Sequence, residues 1–274
     1  MNLFWRVAAP ASHRVKMMKK TIQLTALALV LLSASASYSA EASGAGEPEL
    51  TAMDWSFSGP FGTYDKASLQ RGFQVYREVC ASCHSLKRVA YRNLTALGYS
   101  EEQVKTIAGE VTVMDGPNDE GEMFERPGRP SDKIKSPFAN DKAAMAANNG
   151  ALPPDLSLIT KARHGGADYV YGVLTGYAAA PEGVVLSDTQ YYNKAMSGHI
   201  ISMPAPLSNG QVTYADGTAQ TLGQYAKDVS SFLTWAAEPE MEQRKRMGVK
   251  VVLFLLAFAG IMYAVKKTVW KKAH

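Results

Sequence analysis

"EVCASCHSLK", Glu78 to Lys87, holds both cysteines of a 274-residue chain, three apart, with a histidine directly after the second. Four chemistries use such a cluster: covalent haem attachment, a redox dithiol, part of a zinc site and a disulfide. The preceding residues set how it is presented. From Ser68 to about Cys83 the apolar side chains Leu69, Phe73, Tyr76, Val79 and Cys80 recur at spacings of three and four, the stripe of an amphipathic helix. Asp65 or Ser68 can cap it. On a helix, positions i, i+3 and i+4 share a face, so Cys80, Cys83 and His84 can address one object. That suits a haem, whose vinyl groups take up two thiols while the adjacent imidazole rises to the iron. Zinc needs more ligands at metal spacing, and no second Cys or His pair exists. A thioredoxin-like dithiol wants a βαβ context that this chain lacks. A disulfide closing so short a loop gains little entropy. The favoured reading is one covalently bound haem c on Cys80 and Cys83, with His84 as an axial iron ligand.

A second axial ligand has two imidazole candidates, His164 and His199, and the thioethers Met53, Met114, Met123, Met145, Met196, Met203 and Met241. His164 precedes Gly165-Gly166 at a helix end, where a histidine commonly serves the terminal carbonyls. His199 lies four residues before Met203 and competes with it. Met203 is followed by "PAP", and prolines hold a segment extended, reducing the entropy lost in presenting a side chain. Met203 is the favoured ligand. A soft thioether favours Fe(II) and raises the potential, which describes an electron carrier.

Farther out, the signals are mostly helical. "SEEQ" at Ser100 is a capping box with Gln103. Residues 114 to 137, rich in proline, glycine and charge, read as a long irregular surface loop. "NDKAAMAANNG" is a short helix capped by Asn140 or Asp141 and stopped by Gly150. "PPDLSLITKARHGG" is another, capped by Asp155 and closed by Gly165, and "DYVYGVLTG" a third. Gly198 to Thr218 is irregular, with room for a small hairpin at "YADGT". Thr221 then caps a helix with Leu222, Tyr225, Ala226, Val229, Leu233 and Ala236 on one face, interrupted by Pro239. The expectation is a mainly α domain.

Both ends carry apolar runs. The first 40 residues hold five basic groups and no acid ahead of "LTALALVLLS", the pattern of a signal peptide. Cleavage after Ala36, Ala40 or Ala42 fits, and Met17 and Met18 offer later starts. A retained anchor and a mitochondrial presequence are the alternatives, although Lys19-Lys20 followed at once by the apolar run looks bacterial. "MGVKVVLFLLAFAGIMYAV", Met247 to Val265, fits one transmembrane helix, flanked by basic residues on both sides. With residues 1–40 as leader, 41–243 form an exported domain, 244–265 a basic flank and membrane span, and 266–274 a short cytoplasmic tail. The chain's net charge of +4 conceals this partition, because residues 41–243 hold 16 basic against all 25 acidic residues. An acidic domain at a membrane steers a basic partner toward it.

Several blocks occur in one order: "VCASCHSLKRVAYRNL", "DGPNDEGEMFERPGRPSD", "AANNGALPPDLSLITKARHGGADYVYGVLTGY", "ISMPAPL" and "AKDVSSFLTWAAEPEMEQRKRMG". From about Trp55 to Lys272 the chain resembles the cytochrome c1 family, haem subunits of the quinol–cytochrome c oxidoreductase (cytochrome bc1) complex. The resemblance implies a class I cytochrome c-like haem domain with loop insertions on one C-terminal transmembrane helix. It implies thioether bonds at Cys80 and Cys83, His84 proximal, Met203 distal, Pro154 near the ring, and Arg163 and Tyr169 near the propionates. It also implies electrons arriving from the Rieske iron–sulfur protein and leaving to a soluble or membrane-bound cytochrome c, with cytochrome b as membrane partner in a dimeric complex. The expected place is a bacterial inner membrane, with the haem domain in the periplasm and the lipid bilayer around the anchor. No nucleic-acid partner and no catalytic residue of the chain's own are expected. The rivals are a tethered haem peroxidase with a displaceable ligand and an anchored thiol–disulfide protein.

Overall fold

The computed structural model describes residues 48–272, so the leader lies outside the described residues. Helix α1, Lys66–Glu78, is capped by Asp65, whose side chain accepts from the Ala67 amide at 3.0 Å. Ser68 lies inside the helix. Leu69, Phe73 and Tyr76 are buried as the spacing predicts, but the helix ends about a turn early. Val79 N still donates to Val75 O at 3.0 Å, but the Ser82 hydroxyl donates to the Val79 carbonyl at 2.7 Å, taking a group the next turn would have used. Cys80–Ser82 continues as a 3₁₀ turn. The cysteine pair therefore sits on a tight turn rather than on the helix itself.

A 3₁₀ segment, Tyr91–Leu97, follows and buries Tyr91, Leu94 and Leu97. Helix α2, Glu101–Gly109, starts with the expected reciprocal cap: Gln103 N donates to Ser100 Oγ at 3.2 Å, and Ser100 N to Gln103 Oε1 at 2.8 Å. The stretch expected to be irregular contains an antiparallel hairpin, β1 (Thr112–Asp115) with β2 (Phe124–Pro127), in register Thr112↔Pro127 to Asp115↔Phe124. Four-residue strands carry too little alternation to stand out among prolines and charges. Side chains hold this hairpin. Asn118 Oδ1 accepts from the Glu120 and Glu122 amides at 3.1 and 2.8 Å, and Arg126 binds Asp115 and both oxygens of Asp132, at 2.7 and 3.0 Å.

The Arg126 guanidinium, and then the Arg129 amide, hold the Asp132 carboxyl at about 2. A carboxyl depressed in the folded state stabilises it above its ordinary value near 3.9, and loses that contribution as pH falls toward 2. Amide protection factors in β1 and β2 are expected to fall between about pH 4 and pH 2 while those of α1 persist. Unchanged hairpin protection across that window would show that Arg126 carries no structural load.

Helix α3, Asp141–Ala147, takes Asn140 as its cap. The helix expected from Asp155 to Gly165 is shorter, a 3₁₀ turn (Leu156–Leu158) running into α4, Ile159–Ala162, with Arg163 already extended. Helix α5, Gly166–Thr175, follows, and β3 (Tyr191–Tyr192) pairs with β4 (Ile200–Ile201). No hairpin forms at "YADGT". Tyr225 Oη binds both the amide and the carbonyl of Val212, and Gln74 Nε2 donates to Thr213 O at 3.1 Å, so side chains occupy the backbone groups a second strand would need.

Helix α6, Leu222–Ala237, is capped by Thr221, and its predicted face is buried apart from Leu222, which is half-buried at the start. Phe232 and Trp235 are buried as well, because α6 runs through the middle of the domain. It crosses α1 at Gly72, where a Cβ would stand 2.1 Å from the Asp228 carbonyl oxygen and 2.7 Å from Phe232 Cβ. Only glycine permits that approach. Around the crossing Phe232 packs on Phe73 at 5.6 Å, on Tyr76 at 5.8 Å and on Trp235 at 5.8 Å between ring centroids. Pro239 then ends α6, and the chain restarts as α7, Met241–Lys272. This helix is long and apolar enough to cross a membrane. Its first turns grip the domain, with Glu242 Oε1 accepting from Tyr64 N at 2.9 Å and Lys245 Nζ donating to Phe57 O and Gly62 O at 2.7 and 3.0 Å. The architecture is a mainly α domain with little sheet and one long apolar C-terminal helix, as expected.

Candidate functional site

The Cys80 turn keeps the geometry the motif needs although α1 has ended. Cys83 N and His84 N both donate to Cys80 O, at 3.1 and 2.8 Å, so three and four residues on from Cys80 the chain has made one helical turn. The two thiols are free and half-buried. Burial, and then the neighbouring Cys83, push the Cys80 thiol up to about 12. A redox dithiol uses a thiol whose pKa is lowered, the opposite environment. Among the described residues no three His, Cys, Asp or Glu side chains converge as a metal-ion site would require.

His84 is held by the segment around Pro154. Its Nδ1 stands 2.8 Å from the Pro154 carbonyl oxygen, which can only accept, so Nδ1 carries the proton and Nε2 the lone pair. Burial, the largest influence, lowers the imidazole pKa against the opposing pull of Pro154 and Asp155, favouring the neutral ring. Tyr76 Oη fixes the backbone by donating to His84 O at 3.1 Å. This is the arrangement of a ligating histidine: neutral, oriented through one nitrogen, and free to coordinate through the other.

Asp155 holds Pro154 in place. Its Oδ2 accepts from Ser85 Oγ at 2.8 Å and Lys87 N at 2.9 Å, and its Oδ1 from Ser157 N at 3.0 Å. Leu156 N to Ser85 O at 2.9 Å and Arg88 N to Ser157 Oγ at 3.0 Å complete the seam. Burial alone would raise the Asp155 pKa, but the hydrogen bonds from Lys87, Ser157 and Ser85 outweigh it and keep the carboxylate ionised. Asp155→Ala is expected to cost about 2 kcal/mol, since it strips a cap and a charged acceptor from three donors, two of them partly buried. Denaturant titration measures that loss, and nitrogen NMR should show the His84 ring exchanging between tautomers. A single tautomer in the variant would mean that Pro154 is held by other contacts.

The other axial candidate lies beyond β4. Met203 is half-buried, and Tyr177 Oη donates to its carbonyl at 2.9 Å. His199 has a left-handed backbone, φ +57°, and its ring packs at a tilt against Tyr192, 5.5 Å between centroids, with a buried, unpartnered Nδ1. The turn before it is locked by fully buried Asn193, whose Nδ2 donates to Val173 O at 2.8 Å. His164 is exposed, in keeping with its place beyond α4. Arg163 is exposed too, bonding Ala162 O at 3.0 Å, and Tyr169 Oη donates to Met196 Sδ at 3.3 Å.

Residues 55–273 match the Cytochrome C1 family. The chain belongs to that family. A cytochrome c1 of Rhodospirillum rubrum is 50% identical over 242 residues, covering 82% of this chain and 89% of the relative. A cytochrome b/c1 of Bradyrhizobium diazoefficiens is 54% identical over 242 residues, 80% of this chain but 35% of the relative, so the chain spans about a third of that protein. A mitochondrial cytochrome c1-2, heme protein, of Solanum tuberosum is 53% identical over 216 residues, 79% of this chain and 83% of the relative.

Within this cytochrome c1 fold the motif residues were visible in sequence; Tyr76 was visible only as part of the apolar stripe, and Tyr177 and Asn193, which fix backbones farther on, were not. Asp155 was visible only as a cap. Its acceptance of Ser85 and Lys87, some seventy residues back, leaves no local trace.

Proposed function

We propose that this chain is a membrane-anchored monohaem c-type cytochrome, the electron-transfer subunit of a quinol–cytochrome c oxidoreductase complex. One observation carries the reading: in a single turn two free thiols precede an imidazole whose Nδ1 is bound to the Pro154 carbonyl, leaving Nε2 for iron. The donor set fits a covalent haem c, with Cys80 and Cys83 as thioether attachment points, His84 proximal and Met203 distal. Leu152 and Leu158, which flank Pro154 and Asp155, are exposed apolar side chains on the segment that holds His84, suited to cover by an apolar ring. Pro154 would lie beside the ring, with Arg163 and Tyr169 toward the propionates. A haem bound there supplies one-electron transfer, from the Rieske iron–sulfur protein to a soluble or membrane-bound cytochrome c.

The chain's own part is positional. Asp155 and Pro154 fix the imidazole and Tyr177 fixes the Met203 backbone, so that His84 and Met203 would both hold the haem iron, which would then supply electron transfer rather than oxygen chemistry. Cytochrome b would be the membrane partner, the assembly dimeric, and α7 the single pass in a bacterial inner membrane. Residues 1–40 would act as signal peptide, placing the haem domain in the periplasm and the C-terminus in the cytoplasm. Purification from membranes tests the reading. It expects a haem stain that survives denaturing electrophoresis, a low-spin Met–His spectrum, and copurifying cytochrome b and Rieske protein. A high-spin spectrum or a preparation lacking both partners would overturn it.

A further inference from the structure

The geometry points to a binding site for an anionic phospholipid headgroup where α7 leaves the domain, formed by Phe61, Arg246 and Lys250. A cleft of about 350 Å³ opens there between residues 60–63 and the first three turns of α7, with Val249 among its lining residues. The loop is built, not slack. Lys245 ties it to the helix through the Phe57 and Gly62 carbonyls, Tyr64 N is held by Glu242, and Thr63 N donates to Ser56 O at 3.0 Å. Gly62 packs so closely that a Cβ would stand 2.1 Å from Ser58 O. At the tip of this rigid loop Phe61 is 81% exposed. A large aromatic side chain held rigidly in the open, on an otherwise satisfied loop, is a contact surface.

Its surroundings identify the contact. The uncharged part of α7 runs only from Val251 to Val265, fifteen residues, or about 22 Å at the rise of an α-helix, against a hydrocarbon core of about 30 Å. The bilayer must therefore take in part of the turn that includes Lys250, whose ammonium then extends back toward water beside Arg246, one turn earlier. Glu242 binds Arg246 at 3.1 Å, but Lys245, Arg246 and Lys250 together leave the cleft net positive. Phe61 thus stands at the level where acyl chains begin, next to cations at the level of phosphates. An amphiphile with an anionic head matches both; a soluble phosphate would leave Phe61 and Val249 uncovered. The inference rests on α7 spanning a membrane.

The test uses the full chain purified from membranes with its associated subunits. It is placed in nanodiscs carrying trace diazirine-bearing phosphatidylglycerol or phosphatidylcholine, and cross-linked peptides are mapped by mass spectrometry. Label on residues 57–64 and 246–253 is expected to favour phosphatidylglycerol by at least about fivefold, the factor one basic group contributes near an anionic surface. Arg246→Gln with Lys250→Gln should bring the ratio to one, and excess glycerol phosphate should leave the wild-type ratio unchanged. Equal labelling in the wild type, selectivity surviving the double substitution, or competition by glycerol phosphate would overturn the site. So would label along 251–265 with none at the cleft, since a protein would then cover it. No label along 251–265 at all would instead overturn the membrane-spanning reading of α7.

Discussion

Replacing Asp228 with alanine is expected to destabilise the domain by about 3–5 kcal/mol, a large share of the roughly 5–15 kcal/mol that holds a domain folded. Asp228 is fully buried on α6 at its crossing with α1. Its carboxylate accepts from Ser68 Oγ at 2.7 Å, from Arg71 Nε at 2.9 Å and Arg71 Nη2 at 3.1 Å, and from Gln224 Nε2 at 3.0 Å. Removing it leaves a guanidinium whose side chain is only 15% exposed, with Asp216, 44% exposed, as its remaining carboxylate at 2.8 Å. That second partner places the expected loss toward the lower end of the range. Arg71→Met together with Asp228→Leu should recover much of it, because a buried pair replaced by packed apolar groups loses both desolvation penalties. Urea titration of the three forms decides the matter. A loss under about 1 kcal/mol for Asp228→Ala would mean that the aromatic packing around Phe232 alone holds the crossing.

This crossing matters to the site because α1 delivers the chain directly to Cys80. Gly72 sets how closely α1 approaches α6, and Tyr76, one turn later, both packs on Phe232 and binds the His84 carbonyl. The position of the motif is thus fixed from one side by core packing and from the other by the Asp155 seam. Tyr76 reaches the motif through the His84 backbone, and Asp155 reaches it through Ser85 and Lys87, so much of the load is carried by groups other than the cysteine thiols and the imidazole.

The features legible in sequence are those whose partners lie within one helical turn. Ser100 and Gln103 cap each other across three residues, Thr221 reaches Gln224, and Asn140 reaches Ala143, and all three caps form. The Cys80, Cys83, His84 spacing is of the same kind. What sequence left open was settled by groups far apart in the chain. Arg71 and Asp228 are 157 positions apart and His84 and Pro154 are 70. Nothing local distinguishes a buried arginine from a solvated one, or a proline whose carbonyl will meet an imidazole from one that ends a loop. The β1–β2 hairpin was missed for a related reason: its strands are short and exposed, and Arg126 contributes as much to holding it as any apolar alternation.

On the proposed ligation of a covalent haem by Met203, Met203→Leu is expected to keep the haem, lower its potential by on the order of 100 mV, and open the iron to carbon monoxide or cyanide. That is a modest part of the ~0.8 V range that axial ligation spans, and it follows from losing a soft thioether that favours Fe(II). Leucine fills a similar volume, and the Tyr177 bond to the backbone of residue 203 is unaffected by the side chain. The fold should therefore survive, so that a changed spectrum reports ligation. His199 is the discriminating control. It lies four residues before Met203 and carries an unpartnered buried Nδ1, so it is the imidazole candidate to test as a substitute. If Met203→Leu retains a low-spin spectrum and Met203→Leu with His199→Ala becomes high-spin, the histidine has replaced the thioether. If Met203→Leu leaves both spectrum and potential unchanged, while His199→Ala alone changes them, the distal ligand is His199 and the assignment to Met203 fails.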